Sequence, residues 1–220
     1  MSYRVALFDL DGTVLDTLQD LASSTNAALQ ANSLPPRTVE EVRAFVGNGI
    51  GKLIERAVPA GSDAATVAAV LESFKAHYKA HCADRTRPYD GIPAMLAALR
   101  AAGVKTAVIS NKADFAVQEL AKRYFDGLFD FALGERADIA RKPAPDMVYH
   151  VLNALHASPE EAVFIGDSDV DILTAKNAGL PAIGVTWGFR DRACLLKAGA
   201  AVLADTPAML QALLLGELGE

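Results

Sequence analysis

The sequence predicts a doubly wound parallel α/β sheet with an inserted helical region, and three observations carry that expectation. Short apolar runs alternate with helical patterns through most of the chain, one early stretch is helical throughout, and acids directly follow two of the runs. Residues 4–10 (Arg-Val-Ala-Leu-Phe-Asp-Leu) form the first run and read as a buried strand ending near Asp9. Further runs at 104–110, 162–166, 181–185 and 200–203, with a weaker one at 128–132, supply the remaining strands. Between them, 92–102, 112–124, 146–156, 169–178 and 206–215 carry helical patterns. Such alternation means strand–helix–strand units and a sheet covered on both faces. Gly103 and Gly179 each stand between a helix and a strand, where a left-handed closing position favours glycine.

The exception runs from Asp16 to Ala83. Helices are expected there at 17–31, 38–45, 49–57 and 63–82, separated by Asn32, Pro35-Pro36, Gly47 and residues 59–61. The predicted organisation is therefore an α/β body over 1–15 and 84–220 and a helical domain over 16–83, with linkers at 15–17 and 84–88. No internal repeat, heptad run or low-complexity stretch interrupts it.

Composition narrows the functional classes. A chain of 220 residues, 51% hydrophobic and 22% charged, is an ordinary globular sequence that can bury its own core. With 21 Lys and Arg against 27 Asp and Glu, its net charge of −6 gives no general attraction to nucleic acid or to an anionic membrane. The longest stretch without Asp, Glu, Lys or Arg, residues 21–36, is broken by Ser, Thr, Asn and Gln and is no membrane span. Cys82 and Cys194 match no metal or redox spacing; one disulfide or two buried thiols are open, the thiols suiting a reducing cytosol. The first residues run directly into a strand without a signal peptide, so a cytoplasmic location is expected.

The chemistry lies at the strand ends. Asp9-Leu10-Asp11-Gly12-Thr13 places two carboxylates where the first strand stops, and ligands of open α/β sheets bind outside such ends. Gly166-Asp167-Ser168-Asp169-Val170-Asp171 repeats the arrangement after another buried run, with Asp167 and Asp171 able to point the same way. Either cluster alone also describes a turn or a helix cap. Together, gathered carboxylates repel, and a hard divalent cation such as Mg²⁺ resolves that repulsion. Ser110-Asn111-Lys112 follows a third run and reads as opening a helix, whose N–H groups can receive phosphate oxygens, or as an ordinary cap. Arg141-Lys142-Pro143-Ala144-Pro145 precedes a further helix; its prolines stiffen the approach and can fix Lys142, although a Lys-Pro pair taken alone reads as a solvated loop. A nucleophile, an anion clamp and a metal site are what phosphoryl transfer requires.

The ordered set Asp9-x-Asp11-Gly-Thr13, Ser110-Asn111, Lys142 and Gly166-Asp167-x-x-x-Asp171 resembles the four motifs of the haloacid dehalogenase superfamily. Phe45-Val46-Gly47-Asn48-Gly49, Glu55-Arg56-Ala57, Ser110-Asn111-Lys112 and Lys142-Pro143-x-Pro145 are similar to its phosphoglycolate phosphatase branch. The resemblance implies a Rossmann-like core with a helical cap. It also implies Mg²⁺-dependent hydrolysis of a small phosphorylated metabolite, with 2-phosphoglycolate first among the substrates. Asp9 would be the nucleophile and form an aspartyl-phosphate, and Asp11 would protonate the leaving alkoxide and then activate water. Mg²⁺ would be held by the Asp9 carboxylate, the Asp11 carbonyl and Asp167, with Asp171 orienting metal-bound water or Lys142 from behind. Ser110 and the Asn111 amide would bind phosphoryl oxygens, Lys142 would offset charge on nucleophile and phosphate, and Thr13 would hold Asp11.

Asp11 itself separates phosphoryl transfer from carbon–halogen cleavage, which needs no acid for a leaving alkoxide. Substrate choice is expected of the cap, through the loop Gly47-Asn48-Gly49, with Arg43, Lys52 and Arg56 as the available cations; Lys52 otherwise reads as a solvated helical lysine. His77, His81, His150, His156 and Trp187 match no motif and read as surface or packing residues. A monomer or homodimer is expected, without nucleic acid or membrane as partners. A phosphomutase, a pyrophosphatase, a sugar phosphatase or a nucleotidase of the same fold are the enzymatic alternatives. A catalytically silent phosphate-binding regulator is the other.

Overall fold

Four buried residues, Val-Ala-Leu-Phe, start the fold as strand β1 (Val5–Phe8). This computed structural model describes residues 3–217. Cα packing divides the chain into two units, one holding residues up to Leu15 and from Pro88 onward, the other Asp16–Arg87. After β1 the chain crosses through β2 (Leu15–Asp16) into α1 (Leu18–Ala31), α2 (Val39–Phe45), α3 (Gly49–Ala57) and α4 (Ala64–His81). It returns through β3 (Arg87–Pro88), and these two crossings pair as a separate two-stranded sheet.

The rest of the first unit alternates as the apolar runs require. In order come α5 (Ile92–Ala101), β4 (Lys105–Ala113), α6 (Asp114–Phe125), β5 (Phe131–Glu135), α7 (Asp146–Ala154) and β6 (Ala162–Gly166). α8 (Asp169–Ala178), β7 (Ala182–Val185), α9 (Arg192–Ala198), β8 (Val202–Ala204) and α10 (Pro207–Leu215) complete it. The six strands of this sheet run parallel in the order β5-β4-β1-β6-β7-β8. β1 thus lies between β4 and β6, and the chain winds outward from it in both directions, which puts a ligand crevice at those three C-terminal ends. One sheet face packs Leu7, Ile109 and Phe164 against Val148 and Val151 of α7. Side chains of that size contribute roughly 1.5–3 kcal/mol each when fully buried.

In the helical unit, side-chain caps set the starts of two helices. Thr38 and Glu41 form a reciprocal capping box at α2, and Asp63 accepts from the Thr66 amide at 2.8 Å to start α4. Among the described residues no helix is long and apolar enough to cross a membrane. Neither cysteine forms a disulfide; Cys82 is buried, whereas Cys194 is only half-buried, contrary to the expectation of two buried thiols.

Within the six-stranded sheet and its helices, three elements differ from the sequence expectation. β4 does not stop at Ser110: it continues through Asn111 and Lys112 to Ala113, so those residues are buried strand and not the opening of a helix. The pairing with β5 shifts register after Ile109 and resumes at Ala113 opposite Glu135, and α6 starts only at Asp114. β5 lies at Phe131–Glu135 because the segment before it forms a turn, in which the Asp130 carboxylate accepts from the Thr106 amide at 2.8 Å. α9 was not expected; Asp191 caps it by accepting from the Cys194 amide at 2.8 Å.

Candidate active site

Asp9 is carried to the sheet edge by β1, its amide donating to the Ile165 carbonyl at 2.9 Å in the neighbouring strand. There it meets Lys142, whose Nζ lies 2.7 Å from Asp9 Oδ1 and 2.7 Å from Asp171 Oδ1. Lys142 sits in the loop before α7 and is held by its own backbone. The Asn111 side chain accepts from the Lys142 amide and donates to the Lys142 carbonyl, both at 2.9 Å. Its ammonium also stands 5.5 Å from the Phe164 ring centre. Asn111, expected to supply an amide to phosphate, thus spends its side chain on placing Lys142.

Asp171 does two things at once. Its Oδ2 accepts from the Ser168 amide at 3.1 Å and hydroxyl at 2.6 Å as the capping box of α8, while Oδ1 takes Lys142. The helix cap and the site contact are the same carboxylate. Asp167 accepts from the Thr13 hydroxyl at 3.2 Å and from the Phe189 amide at 2.7 Å. Thr13 was expected to hold Asp11 and holds Asp167 instead. Two glycines make room for this carboxylate. A Cβ at Gly12 (φ +88°) would lie 2.4 Å from Asp167 Oδ2, and one at Gly188 would lie 2.2 Å from Asp167 Cβ. Trp187, matched to no motif, donates from Nε1 to the Thr13 carbonyl at 3.0 Å and so braces the turn after β1. The loop after β7 is therefore part of the site; its Trp-Gly-Phe sequence was the only signal.

Charge in this pit is unbalanced. Asp9, Asp167 and Asp171 are all buried and offer oxygens within 4.8 Å of one another, and Lys142 is the one cation paired with any of them among the described residues. Burial holds the Asp9 carboxyl well above the ordinary range, with Asp171 and Asp167 adding to the rise and Lys142 opposing it. Burial, then Asp171, pushes Asp167 up to about 7. Burial pulls the Lys142 ammonium down, but Asp171 and Asp9 outweigh it and leave the group above its ordinary value. With all three ionised, three carboxylates against one ammonium leave two negative charges, all on hard oxygen donors. The donor set and the charge both fit one divalent cation of the Mg²⁺ type.

Asp11 sits differently. Lys112 Nζ lies 2.7 and 3.0 Å from its two oxygens, so this carboxylate is matched by an ammonium. Ser110 is buried on the same strand, and its Oγ accepts from the Lys112 amide at 3.2 Å. Sequence reasoning gave Lys112 no role beyond its place in the Ser110-Asn111-Lys112 match.

Within the helical unit, Gly47-Asn48-Gly49 leads into α3, and Arg56 fastens it by donating to the Phe45 carbonyl at 2.7 Å and to Asn48 Oδ1 at 2.8 Å. Arg43 pairs with Glu40 at 3.6 Å, and Lys52, exposed as expected, pairs with Glu55.

Comparison with known proteins places these features. A family model described as haloacid dehalogenase-like hydrolase matches residues 6–185. The chain is similar to the phosphoglycolate phosphatase of Neisseria meningitidis, 36% identical over 199 residues that cover 87% of this chain and 84% of that protein. It is also similar to the phosphoglycolate phosphatase of Aquifex aeolicus, 35% identical over 191 residues, covering 84% of this chain and 86% of that one. A solved candidate phosphoglycolate phosphatase from Lactobacillus delbrueckii subsp. bulgaricus superposes with a TM-score of 0.94 at 39% identity, over 98% of this chain and 100% of its own.

Proposed function

The chain belongs to the haloacid dehalogenase-like hydrolase family and is a phosphatase; from that premise we propose that it hydrolyses 2-phosphoglycolate to glycolate and orthophosphate, with Mg²⁺ as cofactor. The observation that carries the chemistry is the buried Asp9–Lys142–Asp171 chain beside Asp167, short of positive charge at a strand end. The substrate rests on the two relatives named phosphoglycolate phosphatase, each matched over more than four-fifths of both chains.

The steps use the residues in their observed places. Asp9 attacks phosphorus; a carboxylate O–P bond forms, the bond to the glycolate oxygen breaks, and its electron pair leaves with that oxygen. Asp11 gives the departing oxygen a proton. A water then attacks the aspartyl-phosphate and yields its proton to Asp11, while the O–P bond breaks back onto Asp9 and orthophosphate is released. Lys142 fixes the Asp9 carboxylate and offsets charge on the phosphoryl oxygens. Ser110 contributes a hydroxyl to those oxygens, and Asp171 positions Lys142. Asp9, Asp167 and the Asp11 carbonyl would hold Mg²⁺, which when bound neutralises the phosphoryl oxygens and the crowded carboxylates. Selection among small monoesters is assigned to the helical unit, through Gly47, Asn48 and Gly49.

The test is phosphate release from a panel of monoesters with Mg²⁺ and with EDTA. 2-Phosphoglycolate should be the best substrate, EDTA should abolish turnover, and Asp9→Asn should lower it at least about 10⁴-fold. Turnover persisting in Asp9→Asn would sink the nucleophile assignment, and a clear preference for another monoester would replace the substrate.

A further inference from the structure

Lys112 is a buried cation that the steps above leave unused. Its side chain is 2% exposed, yet its ammonium reaches across to both oxygens of Asp11, a residue 101 positions earlier, at 2.7 and 3.0 Å. Asp11 belongs to the turn that follows β1, whereas Lys112 is buried near the end of β4, in the register shift between Ile109 and Ala113. A carboxylate on a turn has several staggered side-chain positions open to it. A strand-borne ammonium bonded to both its oxygens leaves one.

We propose that Lys112 is the positioning residue of the acid–base: it fixes where the Asp11 carboxyl stands, so that the same group can reach the leaving oxygen and then the attacking water. The inference rests on the acid–base reading of Asp11. Two observations favour this over a purely structural pair. Thr13, the neighbour that could have steadied Asp11, is committed to Asp167, so positioning falls to Lys112. A buried ion pair is also a poor stabiliser of a strand compared with an apolar residue of similar volume. Its place beside the proposed acid supplies a reason for it that strand stability does not.

Leaving-group dependence separates the two roles, because p-nitrophenolate departs without a proton and an alkoxide does not. The experiment is single-turnover release of glycolate from 2-phosphoglycolate and of nitrophenolate from p-nitrophenyl phosphate, in Mg²⁺, with wild type, Lys112→Met, Asp11→Asn and the double variant. Lys112→Met should slow glycolate release about 100-fold and nitrophenolate release less than about fivefold, and should add nothing to that selectivity in the Asp11→Asn background. If Lys112→Met does not fold, Lys112→Gln, which keeps a donor, should show the same selective loss to a smaller degree. Equal loss on both substrates, or selective loss that persists without Asp11, overturns the proposal. If Asp11→Asn is selective and Lys112→Met is not, only the role of Lys112 falls. If Asp11→Asn itself slows both releases equally, the acid–base reading falls and takes the proposal with it.

Discussion

Asp20 and Asp167 are both almost fully buried, one in the helical unit and one at the sheet edge, and their surroundings differ in kind. Asp20, on α1, accepts from the Arg85 amide at 3.0 Å and from the Thr86 amide and hydroxyl at 2.8 Å each, so neutral donors just before β3 satisfy it. Asp167 has two donors, stands within reach of two more carboxylates, and shares with them a single ammonium. A buried acid is therefore not in itself a site. What marks the sheet edge is a deficit of positive charge that the protein leaves uncorrected, whereas Asp20 is a joint that fastens α1 to residues 85 and 86.

Between these two carboxylates, the larger effect should come from removing the charge on the deficient side. Asp167→Asn should lower phosphate release about 10³-fold in Mg²⁺, with folding retained, because it deletes a proposed metal ligand while easing repulsion. Activity close to wild type would erase the distinction between the two carboxylates.

A smaller effect concerns pH. Asp167 is pushed up from 3.8 to about 7, by burial and then by Asp171, so without metal the folded state keeps a proton that the unfolded chain has lost. The sign follows from linkage: stability from this group is complete below the unfolded value near 3.8 and is lost as pH rises through about 7. Thermal unfolding in EDTA and in Mg²⁺ should therefore diverge as pH rises from 5 to 8, by about 5 °C or more at the upper end. A gap that stayed constant across that range would contradict the cation-deficient account.

Asp20→Asn should have the smallest consequence for chemistry. An amide cannot accept from the same set of donors, so stability should fall by about 1–3 kcal/mol, read as a lower unfolding midpoint, while the Mg²⁺ concentration for half-maximal activity stays as in wild type. A shifted Mg²⁺ requirement would show that the two carboxylates are not independent.

How much of this was legible in the sequence depends on whether a residue's partner is local. Strands following apolar runs, and the acids that end them, are local patterns, so Asp9, Asp11, Asp167 and Asp171 could be named before any fold was known. Lys142 was readable through its prolines. The partners of Thr13, Asn111 and Lys112 lie 154, 31 and 101 residues away, and no periodicity encodes such pairings. Lys112 was further hidden because Ser110 resembles a helix cap, whereas parallel pairing with β5 carries the strand past it. Helix α9 is a different case. Its Asp191 cap and closing Gly199 (φ +104°) are local signals of the type that marked α8 and Gly179, and its seven residues were too few to show a periodic stripe. Asp20 offered nothing at all, since its partners lie on residues 85 and 86, 65 and 66 positions away.

The most direct measurement is calorimetric titration of the metal-free protein with Mg²⁺ at pH 7.5, in wild type, Asp167→Asn and Asp20→Asn. One saturable site per chain in wild type and Asp20→Asn, and none in Asp167→Asn, is the predicted result. Undiminished binding in Asp167→Asn, or no saturable site in wild type, would contradict it.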